Sequence, residues 1–106
     1  MAVLKGGFSP GRWQVRVPGD EATRPRTLCI TSADSFLMGG RGGQCRFNII
    51  SDGPTEAVVT YRCDSGLSGR TALRRDTAGL YTLDTQGLEG GIPFGAREEW
   101  RRTGPC

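Results

Sequence analysis

At 106 residues and 36% hydrophobic, the chain is sized for one domain with a modest core, and no apolar run is long enough for a membrane helix. The formal charge of +3 comes almost wholly from arginine, Lys5 being the one lysine, and carboxylates are interspersed along the chain. Such mixing is typical of a solvated surface and argues against a nucleic-acid partner. The absence of histidine excludes imidazole bases, Ser-His and Cys-His couples and histidine metal ligands.

Residues 1–11, with Gly6-Gly7 and Ser9-Pro10-Gly11, read as a flexible lead-in to a single domain over 12–106. The first residues carry neither the basic nor the long apolar stretch of a signal peptide. Arg12–Val17 alternates, with Trp13, Val15 and Val17 on one face and Arg12, Gln14 and Arg16 on the other, which predicts a half-buried strand. Pro18-Gly19-Asp20 closes it, and Arg26–Ile30 is a second short strand. Thr31–Gly39 predicts a short helix: Thr31 or Ser32 can cap it, Asp34 suits its positive end, and Gly39 stops it. Phe36 and Leu37 must pack onto something for so short a helix to persist. The glycine-rich run Gly39–Gly43 is expected to be a flexible loop.

Gln44–Ile50 and Glu56–Cys63 flank Ser51-Asp52-Gly53-Pro54-Thr55, a hairpin signature. Setting Ile49 against Val59 places Phe47 opposite Tyr61 and Cys45 opposite Cys63, so the apolar cross-strand pairs share a face. A slip of one residue scatters that pattern. Gly69–Arg75 and Leu80–Thr85, joined through Asp76-Thr77-Ala78-Gly79, are further strands. Gln86–Gly95 reads as a long loop because of its glycines and proline, and Ala96–Thr103 as a last strand. The chain is therefore mainly β: about seven short strands in one curled, even barrel-like, antiparallel meander, with one short α-helix after Cys29.

Four cysteines without C-x-x-C spacing point to two disulfides and an oxidising compartment. The hairpin register favours Cys45–Cys63, leaving Cys29–Cys106, which a meander with neighbouring first and last strands would bring together. The rival pairing is Cys29–Cys45 with Cys63–Cys106. Four-thiolate zinc sites use paired C-x-x-C knuckles, and a catalytic thiol needs an activating neighbour, so no metal, cofactor or cysteine nucleophile is expected.

Carboxylates acting alone would need a pair flanking a cleft; the nearest candidates are Asp84 and Glu89, then Glu98 and Glu99, all better read as surface charges. Neither glycine run ends in Gly-Lys-Ser/Thr or opens a helix after a strand, so neither is a phosphate loop. Arg70, Arg74 and Arg75 with Arg101 and Arg102 suggest an anion-binding stripe, though edge arginines that discourage aggregation explain them as well. Trp13, Phe47, Tyr61, Tyr81, Phe94 and Trp100 are core candidates whose curled sheet leaves room for a small apolar ligand or a peptide.

Pro10-Gly11-Arg12-Trp13-Gln14-Val15, Leu28-Cys29-Ile30-Thr31 before a short helix, Cys45 and Cys63, and the closing Arg101-Arg102-Thr103-Gly104-Pro105-Cys106 form a recognisable set. In these the chain resembles the proteobacterial exported proteins grouped as domain of unknown function 3617. Many members have Thr-Pro-Glu after the first cysteine, where this chain has Thr31-Ser32-Ala33. The resemblance implies a periplasmic protein whose leader has been removed, and it carries over no catalytic residue, ligand or cofactor. The expected function is a non-catalytic binding or envelope-associated module. The alternatives are a histidine-independent hydrolase using surface carboxylates and a redox-responsive envelope protein with a labile disulfide.

Overall fold

A computed structural model describes residues 8–20, 22–40 and 44–106. It contains β1 (Gly11–Arg16), β2 (Arg26–Ile30), α1 (Ala33–Leu37), β3 (Cys45–Asp52), β4 (Glu56–Cys63), β5 (Ser68–Thr77), β6 (Leu80–Glu89) and β7 (Ile92–Gly104). The strands form one antiparallel sheet in the order β2-β1-β7-β6-β5-β4-β3. β3 to β7 are the meander expected from consecutive hairpins, and β1 adds beside β7, so first and last strands are neighbours. The sheet stays open rather than closing into a barrel. β2 and β3 are its two edges, and the chain passes between them through α1.

Strict alternation puts one face of the sheet in the core. Trp13, Val15, Ile30, Ala57, Val59, Leu73, Tyr81, Leu83 and Trp100 are buried there beneath α1. Phe36 of α1 is fully buried, its ring centroid 5.1 Å from that of Trp13, 5.0 Å from Tyr81 and 5.4 Å from Trp100. Ser32 caps the helix, its side chain accepting from the Ser35 amide at 3.2 Å. The other anchor is Thr71, buried on β5, whose hydroxyl donates to the Leu37 carbonyl at 2.7 Å. A helix of five residues has little stability of its own, so these contacts hold it in place.

The lead-in is attached where it is described: Phe8 stacks on Trp13 at 5.6 Å and Ser9 accepts from the Trp13 indole N–H at 3.2 Å. Residues 1–7 of that lead-in, and 41–43 of the expected Gly39–Gly43 loop, lie outside the described residues.

The β3–β4 register is the predicted one, with Cys45 opposite Cys63, Phe47 opposite Tyr61 and Ile49 opposite Val59 before an irregularity between Ile49 and Ser51. The expected loop over Gln86–Gly95 is instead the end of one long hairpin. β6 continues to Glu89, β7 starts at Ile92, and Gly90-Gly91 turn between them with φ of 59° and 80°. Two successive positive φ values make a tight hairpin turn that glycine supplies without strain. Gly87 stays in the strand for another reason: a Cβ there would collide with the Ser68 carbonyl of β5.

Both disulfides are those favoured by register, Cys29–Cys106 and Cys45–Cys63, and no cysteine is free. The second is backed by Met38, whose Sδ lies 3.1 Å from Cys45 Sγ and 3.8 Å from Cys63 Sγ. No described helix is long and apolar enough to cross a membrane.

Candidate functional site

The alternation that fills the core also sorts the charges. On the outer face of the sheet stand Arg12 and Arg16 of β1, Arg46 of β3, Arg62 of β4, Arg70 and Arg74 of β5, and Arg97 and Arg101 of β7, all exposed. The carboxylates on the same face are Glu56, Asp84 and Glu99. Most other described acidic residues sit in turns, in α1 or at strand ends, as Asp20, Asp34, Asp52, Asp64, Asp76 and Glu89 do. Charges mixed along the chain are thus unmixed in space, because strands contribute arginine at outward positions and turns contribute aspartate.

Part of this face is internally neutralised. Glu99 pairs with Arg16 at 3.1 Å and with Arg101 at 3.9 Å, and Arg74 with Asp76 at 3.2 Å. Arg97 stands opposite Asp84 in the β6–β7 register. Among the described residues Arg12, Arg46, Arg62, Arg70 and Arg97 have no ion-pair partner, and of these Arg46, Arg62 and Arg70 adjoin one another. Arg46 and Arg62 lie directly opposite each other across β3 and β4, and Arg70 is opposite Thr60, the outward residue next to Arg62 on β4. Arg46, Asn48, Thr60, Tyr61, Arg62, Ser68 and Gly69 line an open groove of about 530 Å³, and Arg70 lies beside it, next in sequence to Gly69. Its donors are guanidinium and hydroxyl groups and one amide, with no acidic side chain among its lining.

The stripe anticipated from Arg70, Arg74, Arg75, Arg101 and Arg102 is not assembled. Arg75 falls at an inward position beside Tyr81 and donates to the Pro54 carbonyl at 3.2 Å. Arg102 is spent on the Pro10 carbonyl, which it reaches through Nε at 3.0 Å and a terminal nitrogen at 2.9 Å. Sequence reasoning missed Arg46 and Arg62. Their signal was nevertheless present, because a register that sets Cys45 against Cys63 also sets Arg46 against Arg62.

The carboxylate candidates are dispersed. Asp84 points outward from mid-β6, whereas Glu89 closes that strand on the opposite side, about 17 Å along it at strand rise. Glu98 and Glu99 point to opposite faces; Glu98 is 7% exposed and accepts from Arg26 at 2.8 Å. Asp84 and Glu99 are diagonal neighbours on the outer face, but each has an arginine beside it on an open surface with no cleft to bracket a bond. Among the described residues no group of histidine, cysteine and carboxylate side chains could hold a metal ion.

The curled apolar face, to which the sequence assigns an apolar ligand or peptide, is covered by α1. Phe36 and Leu37 fill one cluster, and Met38, Tyr61, Cys63 and Leu67 with Phe47 and Phe94 fill the other. Among the described residues two buried polar atoms lack partners, the Tyr61 hydroxyl and the Trp100 indole N–H. The Tyr61 ring lies over Gly69, where a Cβ would come within 2.5 Å of its hydroxyl.

No family model matches the chain, and neither curated proteins nor solved structures give a match.

Proposed function

We propose that the protein is a non-catalytic binding module that works outside the cytoplasm, in the periplasm as the family resemblance implies, and that it binds through the outer face of its sheet. The observation that carries this reading is the segregation of arginine onto one solvent-exposed face while the opposite face is occupied by α1. Disulfide closure supports the compartment, since such bridges persist in oxidising surroundings. The dispersal of Asp84, Glu89 and Glu98 supports a role without bond cleavage.

Amide hydrogen exchange, read with and without a bacterial envelope extract, tests the surface. Added protection in β3, β4 and β5 is the expected result, and unchanged exchange across the sheet overturns it. A screen against glycan and ester substrates tests the absence of catalysis. Turnover that disappears in Asp84→Ala or Glu99→Ala would establish the hydrolase alternative instead.

A further inference from the structure

We infer that Arg46, Arg62 and Arg70, with the hydroxyls of Thr60 and Ser68, form a site for a multiply charged phosphate-type oxyanion. This rests on the reading of the outer face as the binding surface and names its ligand class. Directly opposed like charges on neighbouring strands destabilise a sheet, yet Arg46 and Arg62 occupy such a position. The residues beside them are Cys45 and Cys63, whose disulfide fastens β3 to β4 next to the repelling pair. The bridge therefore preorganises two guanidinium groups that would otherwise separate, so an arriving anion does not have to gather them.

Arg70 lies diagonal to Arg62, a spacing of roughly 7–8 Å between such positions and within reach of long side chains. Protection against edge-to-edge aggregation accounts for Arg46, which is on the edge strand β3. It does not account for Arg62 and Arg70, which are on interior strands. Elsewhere on this face Arg16, Arg74 and Arg101 pair with carboxylates and Arg97 stands opposite Asp84, while Arg12 stands alone on β1, so the cluster of unneutralised arginines is confined to β3–β5.

The chemistry selects the ligand class. Guanidinium groups offer paired N–H donors that match phosphate or sulfate oxygens, and they accept nothing. A single carboxylate would leave guanidinium groups uncompensated, whereas an anion with two or more negative charges engages all of them. Neutral hydroxyl donors from Thr60 and Ser68 complete the shell. The same group can reach the site as a free phosphate compound or on a lipid headgroup.

The test uses the intact, oxidised protein and two probes: inorganic tripolyphosphate, and phosphatidylcholine vesicles containing phosphatidic acid, whose phosphomonoester can carry two negative charges. Arginine side-chain N–H resonances and a thermal melt are read for each, with Arg62→Gln and the charge-matched Arg16→Gln compared with the parent. Expected is a saturable shift at Arg46, Arg62 and Arg70 and a raised melting temperature, with affinity lowered at least tenfold in Arg62→Gln and less than twofold in Arg16→Gln. Response to tripolyphosphate marks a soluble ligand, and response to vesicles alone marks a headgroup; either supports the site. No response to either probe, or equal losses in both variants, overturns it. Arg62→Gln should melt above the parent in the absence of anion, which separates lost binding from lost folding. Envelope protection on β3–β5 together with failure of both probes would retire the oxyanion site and leave the outer-face reading intact.

Discussion

At the scale of single residues, two buried tyrosines with different surroundings make opposite predictions. Burial raises the Tyr81 phenol above its ordinary value of 10.0, with Arg75 beside it acting in the other direction. A raised value means the folded protein holds that proton more tightly than the unfolded chain. Its contribution is complete below about pH 10 and is lost as pH climbs through the folded value. Denaturant midpoints measured between neutral and strongly alkaline pH should therefore fall above that point, and Tyr81→Phe should flatten the decline. Tyr61 has a buried hydroxyl with no partner among the described residues, so its desolvation is uncompensated there. Tyr61→Phe should leave stability unchanged or raise it by about 1 kcal/mol, as a urea titration would register. A loss of that size would mean the hydroxyl has a partner after all.

Among the elements, α1 and the β6–β7 hairpin show what local pattern conveys and what it does not. Replacing Thr71 by valine removes the donor to the Leu37 carbonyl and should cost about 1–3 kcal/mol, because that carbonyl is left without its hydrogen bond beneath the helix. Gly87→Ala should disrupt the β5–β6 pairing far more than Gly90→Ala disturbs the turn. The first new methyl meets backbone, whereas the second meets only open space and a positive φ. Thermal unfolding of the two variants checks the order. The β3–β4 register was legible because three alternating apolar pairs agree with one pairing and no other. Gln86–Gly95 was misread because glycine can mark either a loop or a strand crowded by its neighbour, and only the β5 backbone beside Gly87 distinguishes them. The basic cluster was half legible: Arg70 was singled out, but Arg46 and Arg62 were not, and that Glu99 quenches Arg16 depends on the pairing of β1 with β7, which no local pattern states. The open sheet was not legible, because nothing local states that β2 ends the sheet at one side and β3 at the other.

For the molecule as a whole, the two disulfides divide the work of restraint. Cys29–Cys106 spans 77 residues and lies exposed; Cys45–Cys63 spans 18 and is shielded by Met38. In the chain-entropy account their removal costs about 4.5 and about 3 kcal/mol respectively. Graded reduction followed by alkylation and peptide mapping should label Cys29 and Cys106 first, and simultaneous labelling of all four would contradict the difference in access. The nesting of one bridge inside the other also sets a problem of timing. Cys29 leaves the ribosome before its partner exists, and the next thiols to follow are Cys45 and then Cys63. An oxidase that joins thiols in order of appearance would link Cys29 to Cys45 and later Cys63 to Cys106. Reaching the native pairs from that product requires reshuffling, so efficient maturation depends on an isomerase or on the β3–β4 hairpin forming before oxidation.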